Sequence, residues 1–174
     1  LTNKLRNTNQ QIWNVIGQPT LYAQRYFPSG DKLLIWNDGW DGFPAARKRL
    51  NQALIQNQVK NLVVFGGDVH ENWVGYVKAD YDKQDSPVLG VEFCGTSITS
   101  IGEGGKYLDI RLAKNPHFIF AEANKKGYGI AEFTPKALTV SLRVLNNAPD
   151  EDASIETLAR FVVQSHSNKI DRLS

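Results

Sequence analysis

The apolar run Asn61-Leu62-Val63-Val64-Phe65 passes without a break into Gly66-Gly67-Asp68-Val69-His70-Glu71. A strand that is apolar on both faces has to be covered on both faces, which places it inside a sheet flanked by other layers. The glycines after it permit backbone geometry in which the following polar side chains converge on one point. In open α/β sheets, ligands gather beyond the carboxyl ends of such strands, so Asp68 and His70 stand where chemistry is expected.

Upstream, Ile12 to Ile16 is a short β-prone run ending at Gly17-Gln18-Pro19, and Lys32 to Trp36 is a second one, closed by Asn37-Asp38-Gly39. Both read as buried parallel strands. Pro44 suits the first turn of a helix, and Ala45, Ala46, Leu50, Ala53 and Leu54 recur at helical spacing while Arg47, Lys48 and Arg49 face water, which predicts a helix over 44–56. Strand 32–36, this helix and strand 61–65 together form a βαβ unit. Downstream the texture changes. The stretches 73–77, 88–93, 129–133 and 138–145 alternate apolar with polar and read as antiparallel strands, 159–164 adds a last one, and 101–124 reads as loop and short helix. The fold class is therefore α/β, a short βαβ unit followed by a mainly antiparallel sheet.

A chain of 174 residues supports one domain with a sizeable core. The net charge of +2, with 20 basic residues scattered among 18 acidic ones, gives no basic stripe for a nucleic-acid backbone, and no apolar run is long enough to span a membrane. The single cysteine, Cys94, excludes an internal disulfide and reads as a buried, inert thiol. The chain begins at Leu1, contains no methionine and shows no signal-peptide pattern, and its opening reads as a helix end running into a strand, as in a processed or excised piece.

Asp68 offers a hard oxygen and His70 a borderline nitrogen, a pairing suited to two unlike ions or to one transition metal. The plainer reading is a turn aspartate beside an exposed histidine. Asn37, Asp38 and Asp41 cluster at a strand end just before the helix, where Asp41 either caps that helix or lines a pocket. Trp36, Trp40 and Phe43 are pocket walls or core. Thr96, Ser97 and Thr99 either support a metal ligand or satisfy their own strand end, and Glu71 reads as surface. His117 is a structural, hydrogen-bonded histidine or a functional one. No nucleophile elbow supports a Ser/His/Asp triad.

The segments WNDGWDGFPAARKRL, NLVVFGGDVHENW, GVEFCGTSITS, NPHF and KKGYGIAEFTP, taken in this order, resemble the C-terminal half of the PhoD-like phosphatases, within the wider calcineurin-like metallophosphoesterases. The resemblance implies half of a calcineurin-like sandwich spanning residues 1–174, with the N-terminal half of the metallophosphatase domain outside the chain. GGDVH is similar to the superfamily's final Gly-His-x-His motif with Asp68 in place of its first histidine. IWNVIGQP resembles the strand and loop of its later histidine, with Gln18 at the ligand position or else a plain polar loop residue. His117 lies in a matching motif.

By that resemblance Asp68, His70 and Gln18 are metal ligands, Asp68 and His70 are catalytic, and Asn37, Asp38, Trp40, Asp41 and His117 border the substrate. The cofactor implied is a two-metal centre of iron with calcium, with manganese, magnesium or zinc as alternatives. The activity implied is hydrolysis of phosphate mono- or diesters by an alkaline phosphatase of the periplasm or cell exterior, a hydrolase whose two ions activate a water. The Gly-Asp-x-x-Tyr and Gly-Asn-His motifs have no counterpart here, so the isolated chain is expected to be inactive and to associate with the absent half or with a second copy through an exposed sheet. The alternative is a non-catalytic interaction domain derived from a phosphatase half.

Overall fold

The computed structural model describes residue 5 and residues 10–29, 32–102 and 104–174. In chain order its elements are β1 (Asn14–Gly17), β2 (Tyr26–Ser29), β3 (Lys32–Ile35), α1 (Pro44–Gln56), β4 (Leu62–Gly66), β5 (Asn72–Lys78) and β6 (Val88–Cys94). These are followed by α2 (Leu108–Lys114), β7 (Phe118–Glu122), β8 (Gly127–Phe133), β9 (Ala137–Leu145), β10 (Ile155–Gln164) and β11 (Ile170–Arg172). Most of the opening segment, read above as a helix end, lies outside the described residues.

Strand β4 is central to the arrangement. It pairs in parallel with β1 on one side and with β6 on the other, in a five-stranded mixed sheet of order β1-β4-β6-β5-β7. Strand β5 runs antiparallel to both β6 and β7. A second sheet, β11-β10-β9-β8, is wholly antiparallel. Val63 of β4, Val74, Val91 and Phe93 meet Leu138, Val140, Leu142, Phe161 and Val163 of the second sheet in one core. Leu62 and Val64 point the other way, onto Leu50, Ala53 and Leu54 of α1. This two-sided burial is why residues 62–65 carry no polar alternation. Each of these side chains contributes roughly 1.5–3 kcal/mol on leaving water.

Helix α1 begins with Pro44, whose missing N–H costs nothing in a first turn. It stops at Asn57, whose backbone N–H returns to the carbonyls of Ala53 and Ile55 and whose side-chain amide donates to Ala53 at 2.8 Å.

Three sequence expectations change. Lys32–Trp36 is not a buried parallel strand: β3 pairs antiparallel with β2 in a separate two-stranded ribbon, and all four of its residues are exposed. The first strand of the βαβ unit is instead β1, whose half-exposed pattern reflects its place at the sheet edge. Downstream of Asp68, β6 is antiparallel to β5 but parallel to β4. Arg47 does not face water: it is buried and paired to Asp41 at 2.6 Å, while Lys48 and Arg49 are exposed. Strands β2, β7 and β11 went unread. The two-strand ribbon, the apolar Phe118–Ala121 behind a proline-histidine bend and a three-residue edge give no alternation long enough to detect.

Candidate active site

The carboxyl end of β4 turns sharply, and its first constraint is crowding. A side chain at Gly66 would place a Cβ 2.3 Å from the Thr20 carbonyl oxygen, so the loop after β1 closes against β4 only if this residue is glycine. Two residues further on, Asp68 (φ 70°) and His70 (φ 56°) both occupy the left-handed region, an uncommon conformation for side-chain-bearing residues and one that collects at functional sites.

His70 is then fixed from two directions. Its Nδ1 lies 3.1 Å from the carbonyl oxygen of Ile101, which can only accept, so Nδ1 donates and the neutral ring has its lone pair on Nε2. Its own carbonyl oxygen lies 3.0 Å from the Thr96 hydroxyl and accepts from Lys126 Nζ at 3.2 Å. Thr96 therefore braces the turn that carries His70 through the His70 backbone carbonyl. The Ser97 hydroxyl instead donates to Ser100, and Thr99 is exposed.

Asp68, His70 and Asp38 line one cleft of about 310 Å³, together with Arg25, Trp36, Val69, Ile101 and Gly102. A larger cleft, about 620 Å³, lies elsewhere and includes His117, Tyr76, Lys78 and Tyr81. There His117 is spent on structure. Its Nε2 donates to the Gln24 carbonyl at 2.7 Å, its ring packs on Tyr81 and Phe118, and burial pulls the imidazole down to about 4. The structure does not bring His117 to Asp68 and His70.

Gln18 sits at the strand end but outside the cleft lining. Its carbonyl oxygen accepts from Thr20 N–H at 3.1 Å and from the Trp40 indole at 3.0 Å, and its amide nitrogen donates to the Thr20 carbonyl. Trp40 in turn packs edge-on against Tyr22, while Phe43 is exposed. Asn37 is exposed and does not line the cleft. Asp41 caps nothing, because α1 is entered through Phe43 without a side-chain cap. Instead it lies buried behind the cleft, accepting from the Arg25 backbone N–H at 2.9 Å and from Arg47.

The expectation that Glu71 is surface is overturned. Glu71 is fully buried, held by Arg25 at 2.9 Å, by Arg111 at 2.9 and 3.0 Å and by the Trp73 indole N–H at 2.9 Å. The Arg25 guanidinium also lies over the rings of Phe27, at 4.4 Å, and Trp73, at 5.2 Å. A carboxylate is stable away from water only with such partners. Arg25 is the charged cleft residue that sequence reading missed; the lone charge in the largely aromatic and apolar LYAQRYF was the available signal. Beneath the site, Glu92 accepts from the N–H groups of Tyr22, at 2.6 Å, and Ala23, at 2.8 Å, and burial pushes its carboxyl up to about 7. Cys94 is buried behind Gly67, and burial pushes its thiol well above the usual range, which matches an inert thiol.

Among the described residues no group of three or more His, Cys, Asp and Glu side chains is placed to hold a metal ion. What is present is a partial donor set. Asp68 offers a carboxylate, and His70 offers an Nε2 whose ring is oriented by a backbone carbonyl, the arrangement typical of metal-bound histidines. These residues fit a metal as part of a larger cage. Among the described residues, no helix is long and apolar enough to cross a membrane.

Residues 1–142 match the family described as PhoD-like phosphatase. Alkaline phosphatase D of Bacillus subtilis (strain 168) is 34% identical over 165 residues, covering 93% of this chain and 28% of the relative. A solved structure described as "Structure of PhoD" superposes with a TM-score of 0.90 at 33% identity, covering 99% of this chain and 33% of that one. The chain thus spans about a third of the length of the relatives it matches.

Proposed function

Because this chain belongs to the PhoD-like phosphatase family, we propose that it forms the C-terminal portion of a metal-dependent phosphoesterase domain of the calcineurin-like type, with Asp68 and His70 in its metal cage. The observation that carries this reading is their shared cleft at the end of β4, both in left-handed backbone, with the His70 ring oriented by the bond from Nδ1 to the Ile101 carbonyl. Asp38 borders the same cleft, which supports a role for it beside the substrate.

His70 Nε2 and the Asp68 carboxylate would hold the ions, of which iron with calcium is our first choice. When bound, such ions supply positive charge for the phosphoryl oxygens and acidify an attacking water. This chain's own residues would orient the site. The Ile101 carbonyl keeps the imidazole in one tautomer, Thr96 and Lys126 hold the turn, and Gly66 lets the Gln18 loop close behind it. Gln18 takes part through the loop it stabilises, and a ligand role for it would require breaking its bonds to Thr20 and Trp40.

The remaining ligands would come from the longer polypeptide of which such chains form about a third, so the isolated chain is expected to be inactive. Exposed apolar residues on the edge strand β1 (Val15) and on β3 (Leu33, Leu34, Ile35) are where that remainder would pack. The family's alkaline phosphatase character leads us to place the protein in the periplasm or outside the cell.

The test is hydrolysis of p-nitrophenyl phosphate and of a diester analogue, with iron, manganese and calcium supplied. Turnover is expected from the natural polypeptide carrying these residues, with loss of 100-fold or more, as an order of magnitude, in Asp68→Ala and His70→Ala. Full activity in both variants would remove the assignment.

A further inference from the structure

The cleft that holds Asp68 and His70 is two-sided in character. Asp38, Asp68, His70 and Arg25 form its polar part, and Trp36, Val69 and Ile101 form an apolar wall. Trp36 is 51% exposed and Ile101 89% exposed, so the wall consists largely of side chains that water now covers. Isolated exposed apolar residues need no explanation, but two that flank a polar cleft leave apolar area for a ligand to bury.

Ile101 is also tied to the chemistry. Its carbonyl oxygen accepts the His70 Nδ1 proton, and Gly102 packs so tightly on His70 that a Cβ there would lie 2.8 Å from the His70 carbonyl oxygen. The Ile101 side of the apolar wall is therefore held in register with the imidazole. A phosphoryl group engaged by the polar side would fill only part of about 310 Å³, leaving the apolar wall free to take the rest of the substrate.

We infer that Trp36 and Ile101 form a slot for the organic group of the ester, selecting a planar aromatic ring joined to the phosphate. This rests on the phosphoesterase reading above. The indole of Trp36 offers a flat face on which such a ring stacks, and the branched side chain of Ile101 closes the other side. A short alkyl group leaves most of both surfaces wet.

The experiment measures kcat/KM for phenyl phosphate and for ethyl phosphate in the natural polypeptide containing this chain, with metals supplied. Taking each variant against wild type cancels the intrinsic reactivity of the two esters. In Trp36→Ala the phenyl-to-ethyl ratio is expected to fall roughly ten-fold, the scale of one lost stacking contact. Trp36→Phe should restore most of it, and Ile101→Ala should lower it by a smaller factor. A ratio that stays at its wild-type value in Trp36→Ala while both esters are hydrolysed overturns the slot alone. Absence of turnover on either ester by the wild-type protein overturns the phosphoesterase reading and the slot with it.

Discussion

His70 Nδ1 sits 3.1 Å from the carbonyl oxygen of Ile101, and this contact engages one ring nitrogen of the candidate ligand and leaves Nε2 for another partner. Gly102 maintains the contact, since a Cβ there would lie 2.8 Å from the His70 carbonyl oxygen and 3.3 Å from the His70 Cβ. Gly102→Ala is therefore expected to push the imidazole off its tautomer-setting partner and to lower turnover at least about ten-fold, as small misplacements of reacting groups do. Global stability should fall by less than about 2 kcal/mol. Steady-state kinetics beside urea unfolding checks both parts.

Asp68 adopts φ 70° while its side chain is exposed, so its conformational strain is not offset by packing. Glycine adopts this region freely and alanine does not. Asp68→Gly is expected to be more stable than Asp68→Ala by about 1 kcal/mol, with both inactive. Equal unfolding midpoints would show that the turn is not strained.

Removing the Glu71 carboxylate would leave the guanidinium groups of Arg25 and Arg111 without their shared counter-charge inside the protein. Glu71→Ala should cost roughly 3–5 kcal/mol, the range for breaking a buried ion pair from one side. Chemical denaturation measures it. A change below about 1 kcal/mol would mean that the two arginines relax to water.

Glu92 and His117 impose opposite pH dependences. Burial raises Glu92 to about 7 from an ordinary 4.5, so between those values the folded state keeps a proton that the unfolded state has lost. That contribution to stability is complete below about 4.5 and falls away as pH rises to about 7. Burial lowers His117 to about 4 from 6.5, so its contribution is complete above 6.5 and is lost as pH falls toward 4. Each slope approaches about 1.4 kcal/mol per pH unit, and the two largely cancel across the overlap. His117→Phe should unmask a stability that decreases with pH over that interval, and Glu92→Gln one that increases. Unfolding curves at a series of pH values reveal both signs.

The parts of this architecture readable in sequence were those decided by nearby residues. Helix α1 was legible because Pro44 and the spacing of Leu50, Ala53 and Leu54 act within one element, and β4 because burial on both faces leaves it uniformly apolar. The turn bearing Asp68 and His70 announced itself through its glycines. Lys32–Trp36 misled because an exposed ribbon strand and a buried parallel strand have the same short apolar spelling; only pairing with β2 tells them apart. Glu71 misled for a related reason. Its burial depends on Arg25 and Arg111, which are 46 and 40 residues away in the chain. Asp41 and Gln18 stand out in the sequence as polar residues near the strand ends, but their partners, Arg47 and Trp40, come from separate turns of the fold.

The most direct test of the central claim is the metal content of the natural polypeptide containing this chain, purified and measured by elemental analysis for wild type, Asp68→Ala and His70→Ala. Each variant is predicted to lose at least about one equivalent of bound metal together with its turnover, as removal of a primary ligand requires. Undiminished metal in both variants would contradict the placement of the cage at the end of β4.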